Sequence, residues 1–219
     1  MFVGHYSASF LAKSVDKNIP LWVMFIAVQL VDVFWAIFVI FGIEQVRITP
    51  GFTRSNDLDL FFMPYTHSLV GAALWSIVAG VAYLFWRKGN SANGIFATFL
   101  VGFAVFSHWI LDLIVHTPDL SLYDDSFKMG FGLWNQPSIA FPLEILLLIG
   151  GLWIYMRSTK AVLAIGNYAM PGFVVLLLIV QTYALFGPSP TTPTSFAITS
   201  LAFYLGFGGI ALWLDRFRN

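Results

Sequence analysis

The sequence predicts an all-α polytopic membrane protein: six transmembrane helices in a bundle, preceded by a short N-terminal half-inserted helix. Three observations carry this. The 219 residues are 58% hydrophobic and only 10% charged, with a mean hydropathy of +0.80, whereas soluble domains carry about 25% charged residues. Six stretches stay apolar for about 20 residues, the length that crosses a hydrocarbon core. These runs are continuous, not alternating, and an open sheet could not satisfy its backbone in lipid. The same composition excludes disorder. With 11 basic and 11 acidic residues the chain lacks the net basic surface that nucleic acid requires. The absence of cysteine removes disulfides, thiolate ligands and thiol nucleophiles.

One domain is expected over residues 1–219, with 1–14 as the half-helix and 15–219 as the six-span bundle. Residues 2–12 are apolar but too short to span, and no positive charge precedes them as in a signal peptide. They read as a half-helix dipping into the membrane from a surface marked by Lys13, a surface-lying helix being the alternative. The spans fall near 19–43, 65–86, 92–116, 137–156, 168–186 and 195–214. Pro64 suits the start of the second span, and Pro118 stops the third. Gly187, Pro188, Pro190 and Pro193 turn the chain between the last two. Trp22, Trp86, Trp134 and Trp213 fall near interfaces, where amphipathic rings settle. Lys13, Lys17, Arg87, Lys88, Arg157, Lys160, Arg216 and Arg218 fall on one side, and Arg47, Arg54 and Lys128 on the other. Positive loops stay in the cytoplasm, so both termini are expected there, with loops 44–64 and 117–136 outside.

Ionisable groups in hydrocarbon are costly and mark candidate sites. They are His5 on the half-helix, Asp32 in the first span, His67 at the start of the second, His108, Asp112 and His116 along the third, and Glu144 in the fourth. His108, Asp112 and His116 recur every four residues and so stack on one helix face. Imidazole nitrogens with a carboxylate suit Zn, Mn or Fe(II); a hydrogen-bonded core His–Asp pair has the same spacing. At 1.5 Å per residue His5 climbs about 12 Å from Lys13, and Asp112 lies about 6 Å below the end of its span. Four segments can therefore bring ligands to one pocket, and the half-helix start offers free backbone N–H groups to an anionic oxygen. Glu144 follows Pro142 by two residues and serves either as ligand or base, or as a partner for freed backbone groups. Gln29 either orients Asp32 or bonds a neighbouring helix, and Thr66 and Ser68 suit helix capping. Neither a Gly-x-Ser-x-Gly elbow nor a phosphate loop occurs.

Four pieces, Gly4-His5, Val31-Asp32, Tyr65-Thr66-His67-Ser68 and Ser107-His108 followed by Asp112, lie in the order found in the bacterial membrane-bound metal-dependent hydrolases. The chain resembles that family, which is itself similar to zinc-dependent phospholipase C, over roughly its first 120 residues. His116-Thr117-Pro118-Asp119-Leu120 and Gly132-Leu133-Trp134-Asn135 are similar to a permease-like, uncharacterised subgroup. The resemblance implies a bacterial inner-membrane protein in which His5, Asp32, His67, His108 and Asp112 bind metal. The family's Pro-Asp-x-Asp keeps one acid here, Asp32, and its His-Arg before Thr-His-Ser is Phe62-Met63. That implies one metal in place of two, with His116 as a substitute ligand, or a fold kept without turnover.

The expected function is therefore a metal-dependent hydrolase of a lipid-like phosphoester or ester, meeting its substrate in the outer half of the membrane. A divalent metal, zinc first with Mn or Fe next, would activate water, with Asp32, Glu144 or Asp119 as base. The alternatives are a non-catalytic membrane subunit, carrier or pseudoenzyme of this fold, and a haem- or pigment-binding redox protein.

Overall fold

A computed structural model describes residues 1–87 and 92–219; Lys88, counted above among the basic residues, lies outside them. A 3-10 turn, Val3–His5, leads into α1 (Tyr6–Val15). The helix-favouring run Ala8, Leu11, Ala12 and Lys13 carries α1 to Asp16, whose extended backbone ends it. This helix does not lie on a surface. It buries Tyr6, Ser7, Ser9, Phe10 and Lys13 and packs between α2 (Leu21–Val28), α5 (Ala92–Val115) and α6 (Pro137–Ser158).

The expected first span is broken. α2 and α3 (Leu30–Ile40) meet at a 53° bend on Gln29, which leaves helical geometry at φ −108 and ψ 5. No proline or glycine causes it. The His108 ring donates to the Val28 carbonyl, and a side chain inserted into the backbone ladder is a recognised cause of a kink. Beyond α3, a hairpin that the sequence reading did not place occupies loop 44–64. β1 (Gln45–Ile48) pairs antiparallel with β2 (Leu58–Phe62), with Arg47 opposite Asp59 and a bulge between Gln45 and Arg47. The Arg47 guanidinium lies 2.9 Å from the Asp59 carboxylate.

The remaining spans agree with the sequence to within a few residues: α4 (Leu69–Trp86), α5, α6, α7 (Ala169–Phe186) and α8 (Pro193–Leu214). Ser68 caps α4 by accepting from the Gly71 N–H, and Thr192 with Ser195 forms a capping box on α8. Among the described residues five helices are long and apolar enough to cross a membrane, and six if the bent α2–α3 pair is taken as one broken span. Their outer faces expose Ile77, Phe85, Phe99, Leu146, Ile179 and Leu205, the surface that a polytopic helical protein turns to lipid.

Two apolar clusters hold the bundle. The larger centres on Tyr6, Phe10, Phe25, Phe173 and Phe207, with the Tyr6 and Phe25 rings stacked at 4.7 Å. The smaller, around Trp35, Leu60, Met63 and Leu120, sits beneath the hairpin. At the end of the bundle away from the hairpin, Lys13 bonds the Lys17 and Ile19 carbonyls and pairs with Asp215 at 3.0 Å. There too the Arg218 guanidinium donates to Thr159 Oγ1 and to the Gly166, Met156 and Thr159 carbonyls. Arg218→Ala strands those acceptors and is expected to destabilise the protein by about 3 kcal/mol. Thermal unfolding in detergent checks this, and Arg218→Lys should recover only part, because an ammonium lacks the planar fork.

Candidate functional site

The break at Gln29 and the inserted start of α1 bring ionisable groups together in the middle of the bundle. Asp112 is the hub, buried on α5. One of its oxygens lies 3.1 Å from His5 Nε2 and is also contacted by the Met1 amino group. Its other oxygen lies 3.0 Å from His108 Nε2, 3.5 Å from His116 Nε2 and 3.8 Å from His67 Nε2. Asp32, one helical turn past the break, stands 3.3 Å from His67 Nε2 and 3.5 Å from His108 Nε2. The His5 and His108 rings stack at 3.9 Å.

Three of the four imidazoles are tied at Nδ1. His108 Nδ1 lies 2.7 Å from the Val28 carbonyl, His116 Nδ1 2.8 Å from Asp119 and His67 Nδ1 2.8 Å from the Thr66 hydroxyl. A carbonyl and a carboxylate can only accept, so His108 and His116 each carry a proton on Nδ1 and turn Nε2 towards Asp112. His108 Nε2 finds no hydrogen-bond partner among the described residues. Imidazole Nε2 atoms and carboxylate oxygens thus converge on one point beside the Met1 amine, a donor set of the kind that holds a cation. Two sets have donor atoms within 4.8 Å of one another: His5, His108 and Asp112, and Asp32, His67 and His108.

The other predicted residues are placed differently. Asp119 reaches the cluster only through His116, and its second oxygen takes the Thr117 hydroxyl. Glu144 is buried and accepts the Phe2 and Gly4 N–H groups at 2.8 and 3.2 Å. The N–H groups expected to receive an outside anion therefore already hold the protein's own carboxylate. Gln29 bonds the Phe2 carbonyl of the neighbouring segment. Thr66 does not cap a helix; its hydroxyl donates to Glu44 at 2.6 Å. Glu44, which the sequence reading passed over, is buried behind the hairpin and also accepts the Tyr65 and Thr66 N–H groups. Burial pushes its carboxyl above the ordinary range, against the opposing pull of His67 and those donors.

A cavity of about 650 Å³ opens at the hairpin end and runs down to Asp32, His67, Asp112 and His116, with Trp35 and Trp134 on its walls. The Trp134 ring lies 4.1 Å from His116. Loops 53–58 and 187–191 border the mouth. Ser55 bonds the Trp134 carbonyl there at 2.6 Å. Asp57 accepts the Ser189 hydroxyl, which with the Gly51 N–H holds its carboxyl below the usual range. Four strongly polar side chains, Asp32, His67, Asp112 and His116, thus meet a part-aromatic chamber inside an apolar bundle.

No family model matches the chain, and no solved structure does. A curated relative does match: the sugar transporter SWEET1 of Xenopus laevis is 25% identical over 178 residues, covering 69% of this chain and 82% of the relative. This overturns the reading built on the hydrolase resemblance. The metal-dependent hydrolase family, the enzymatic activity, the catalytic zinc and the lipid-ester substrate are all corrected, because the relative is a transporter and the expected family finds no match. The pseudoenzyme and haem alternatives gain no support either. The physical reason for the error is that short His and Asp spacings report a polar centre in a membrane without reporting its use. What stands is a multi-pass helical membrane protein, its apolar exterior facing lipid, with a polar chamber that opens at the hairpin end.

Proposed function

We propose that this protein is a membrane transporter of a small polyhydroxylated solute, a sugar in first place. The observation that carries the reading is a chamber of about 650 Å³ that ends half-way through the bundle on a buried His–Asp cluster. Transporter sites lie near the bilayer midplane on discontinuous helices. Here the floor is built from two such elements, the α2–α3 break beside Asp32 and the inserted N-terminal segment, whose Met1 and Phe2 line the chamber. Carboxylates accept from hydroxyls and imidazoles can accept or donate, and Trp35 and Trp134 offer apolar faces to the C–H side of a sugar ring. A few convergent polar groups among aromatic walls is the usual make-up of a small-molecule site. The relative's name, sugar transporter, supports the solute class. The basic end carrying Lys13, Arg157 and Arg218 is assigned to the cytoplasm, so the chamber opens outward.

The chain reconstituted in liposomes should accumulate one or more labelled hexoses or disaccharides above empty vesicles, with saturation. The same sugar should change the fluorescence of Trp35 and Trp134. If no sugar of the panel accumulates and none alters the fluorescence, the reading fails.

One observation favours a second property of the same floor. Imidazole Nε2 atoms and two carboxylates converge there, so His5, Asp32, His67, His108, Asp112 and His116 are assigned as the donors for a divalent cation. Such an ion would supply positive charge to the cluster and a Lewis-acidic contact for a solute oxygen. A Co²⁺ titration of purified protein reads it directly, through absorption bands that appear at a fixed stoichiometry.

A further inference from the structure

We infer that Glu44 is a positioning residue: through Thr66 it sets which nitrogen of His67 carries the proton, and so whether Nε2 offers the cluster a lone pair or an N–H. This rests on the cation-binding reading of the cluster, and the test below separates the two.

The three tied imidazoles differ in what holds them. Val28 offers His108 a carbonyl and Asp119 offers His116 a carboxylate. Both are acceptors only, so each fixes its ring without help. The His67 partner is a hydroxyl, which can donate as readily as accept. If Thr66 donated to Nδ1, the His67 proton would move to Nε2 and point at Asp32, 3.3 Å away. The ring would then present an N–H to the cluster, and no cation could be held by it.

Glu44 removes that freedom. Its Oε2 lies 2.6 Å from the Thr66 hydroxyl, and an ionised carboxylate can only accept, so the Thr66 proton goes to Glu44. The Thr66 lone pair is then left for His67 Nδ1–H, and the Nε2 lone pair turns inward. Oε1 takes the Tyr65 and Thr66 N–H groups at 2.8 and 2.9 Å, which fixes the turn that presents His67 to the chamber. The Trp109 indole N–H adds a bond to the His67 carbonyl at 3.0 Å. Glu44, Thr66 and His67 are all buried, so water does not compete for the hydroxyl. Outer-shell partners of this kind orient a ligating histidine, and their loss typically lowers affinity about 10–100-fold.

Glu44→Gln is the sharpest variant. Its amide oxygen would stay with the two N–H groups on the Oε1 side, leaving the amide NH₂ opposite Thr66. Thr66 would have to accept from that group and donate to His67, which inverts the relay at unchanged volume. The measurement is the imidazole ¹⁵N shifts of metal-free full-length protein in detergent, with a His67→Gln sample to assign the signal. Wild type should show His67 protonated at Nδ1. Glu44→Gln and Thr66→Val should move the proton to Nε2, and Thr66→Ser should keep it on Nδ1. Co²⁺ affinity should fall about 10–100-fold in the first two and hold in Thr66→Ser. If Glu44→Gln folds poorly, the Thr66→Val and Thr66→Ser pair decides the matter. A His67 tautomer indifferent to these variants overturns the inference. Wild type that takes no Co²⁺ while His67 still switches overturns the cation reading and keeps the relay.

Discussion

Asp112→Asn is expected to abolish Co²⁺ binding, an affinity loss of at least about 100-fold, while the protein still folds. The reasoning starts from the hub position. Asp112 is the one group that all four imidazoles approach, at 3.0 to 3.8 Å. Removing its charge takes away half of the carboxylate charge that would offset a divalent ion, in a place where little water can substitute. Loss of an outer-shell partner alone costs about 10–100-fold in affinity, and a direct donor costs more. Folding should be spared for a specific reason. An asparagine amide brings two N–H donors of the same size to a point where His108 Nε2 finds no partner among the described residues. A crowd of acceptors is costly when buried, and the substitution supplies donors to it. The buried Met1 amine loses its counter-charge at the same time, so the unfolding temperature in detergent should fall but a cooperative transition should remain, while Co²⁺ titration and sugar uptake both fall to background. Unchanged Co²⁺ binding in Asp112→Asn would remove the cation centre from this cluster. Unchanged sugar uptake would separate the cluster from transport.

Much of the bundle was legible because bilayer thickness dictates run length: α4 to α8 begin and end close to where hydropathy and proline place them. The clustering of His108, Asp112 and His116 follows from a period of four on one helix. The break at Gln29 was not legible, because no local breaker marks it. It is set by His108, eighty positions away, taking the Val28 carbonyl. The hairpin escaped because its strands are short and a bulge interrupts their alternation. Glu44 reads as an ordinary loop acid until the fold carries it under Thr66. Glu144 shows the same limit from the other side. Its partners, Phe2 and Gly4, come from the opposite end of the chain, so no spacing around Pro142 could name them. Function was misread for a related reason. Histidines and aspartates gathered in a membrane have one signature whether they hold an ion, a solute or each other.

The second large effect is expected at a residue with no polar atom in its side chain. Gly151 lies where α6 passes α1, and a Cβ there would come within 2.8 Å of Ser7 Cα and 2.9 Å of the Ser7 carbonyl. Both are backbone atoms, so no rotamer change relieves the clash; α1 itself must move. Such close approaches through small residues are what hold helices together in lipid, where the hydrophobic drive between them is absent. Yet α1 is fixed on its other side, against α2. Tyr6 stacks on Phe25, Phe10 meets the same ring edge to face at 5.5 Å, and Ser9 bonds the Met24 carbonyl at 3.0 Å. Gly151→Leu should therefore expel α1 from the bundle or leave it displaced, at a cost of about 3 kcal/mol or more, towards the upper range for overpacking. His5 lies one residue before α1 and its ring stacks on His108 at 3.9 Å, so the displacement would separate that pair and open one donor set. Gly151→Ala should give an intermediate loss. The check is thermal unfolding together with Co²⁺ titration for both variants, with Gly150→Leu as control, since a Cβ at Gly150 meets nothing within 4 Å. Stability and Co²⁺ affinity should fall in step along Gly, Ala and Leu at position 151 and stay flat at 150. If Co²⁺ affinity held while stability fell, His5 would stand outside the centre, and the inserted helix would serve packing alone.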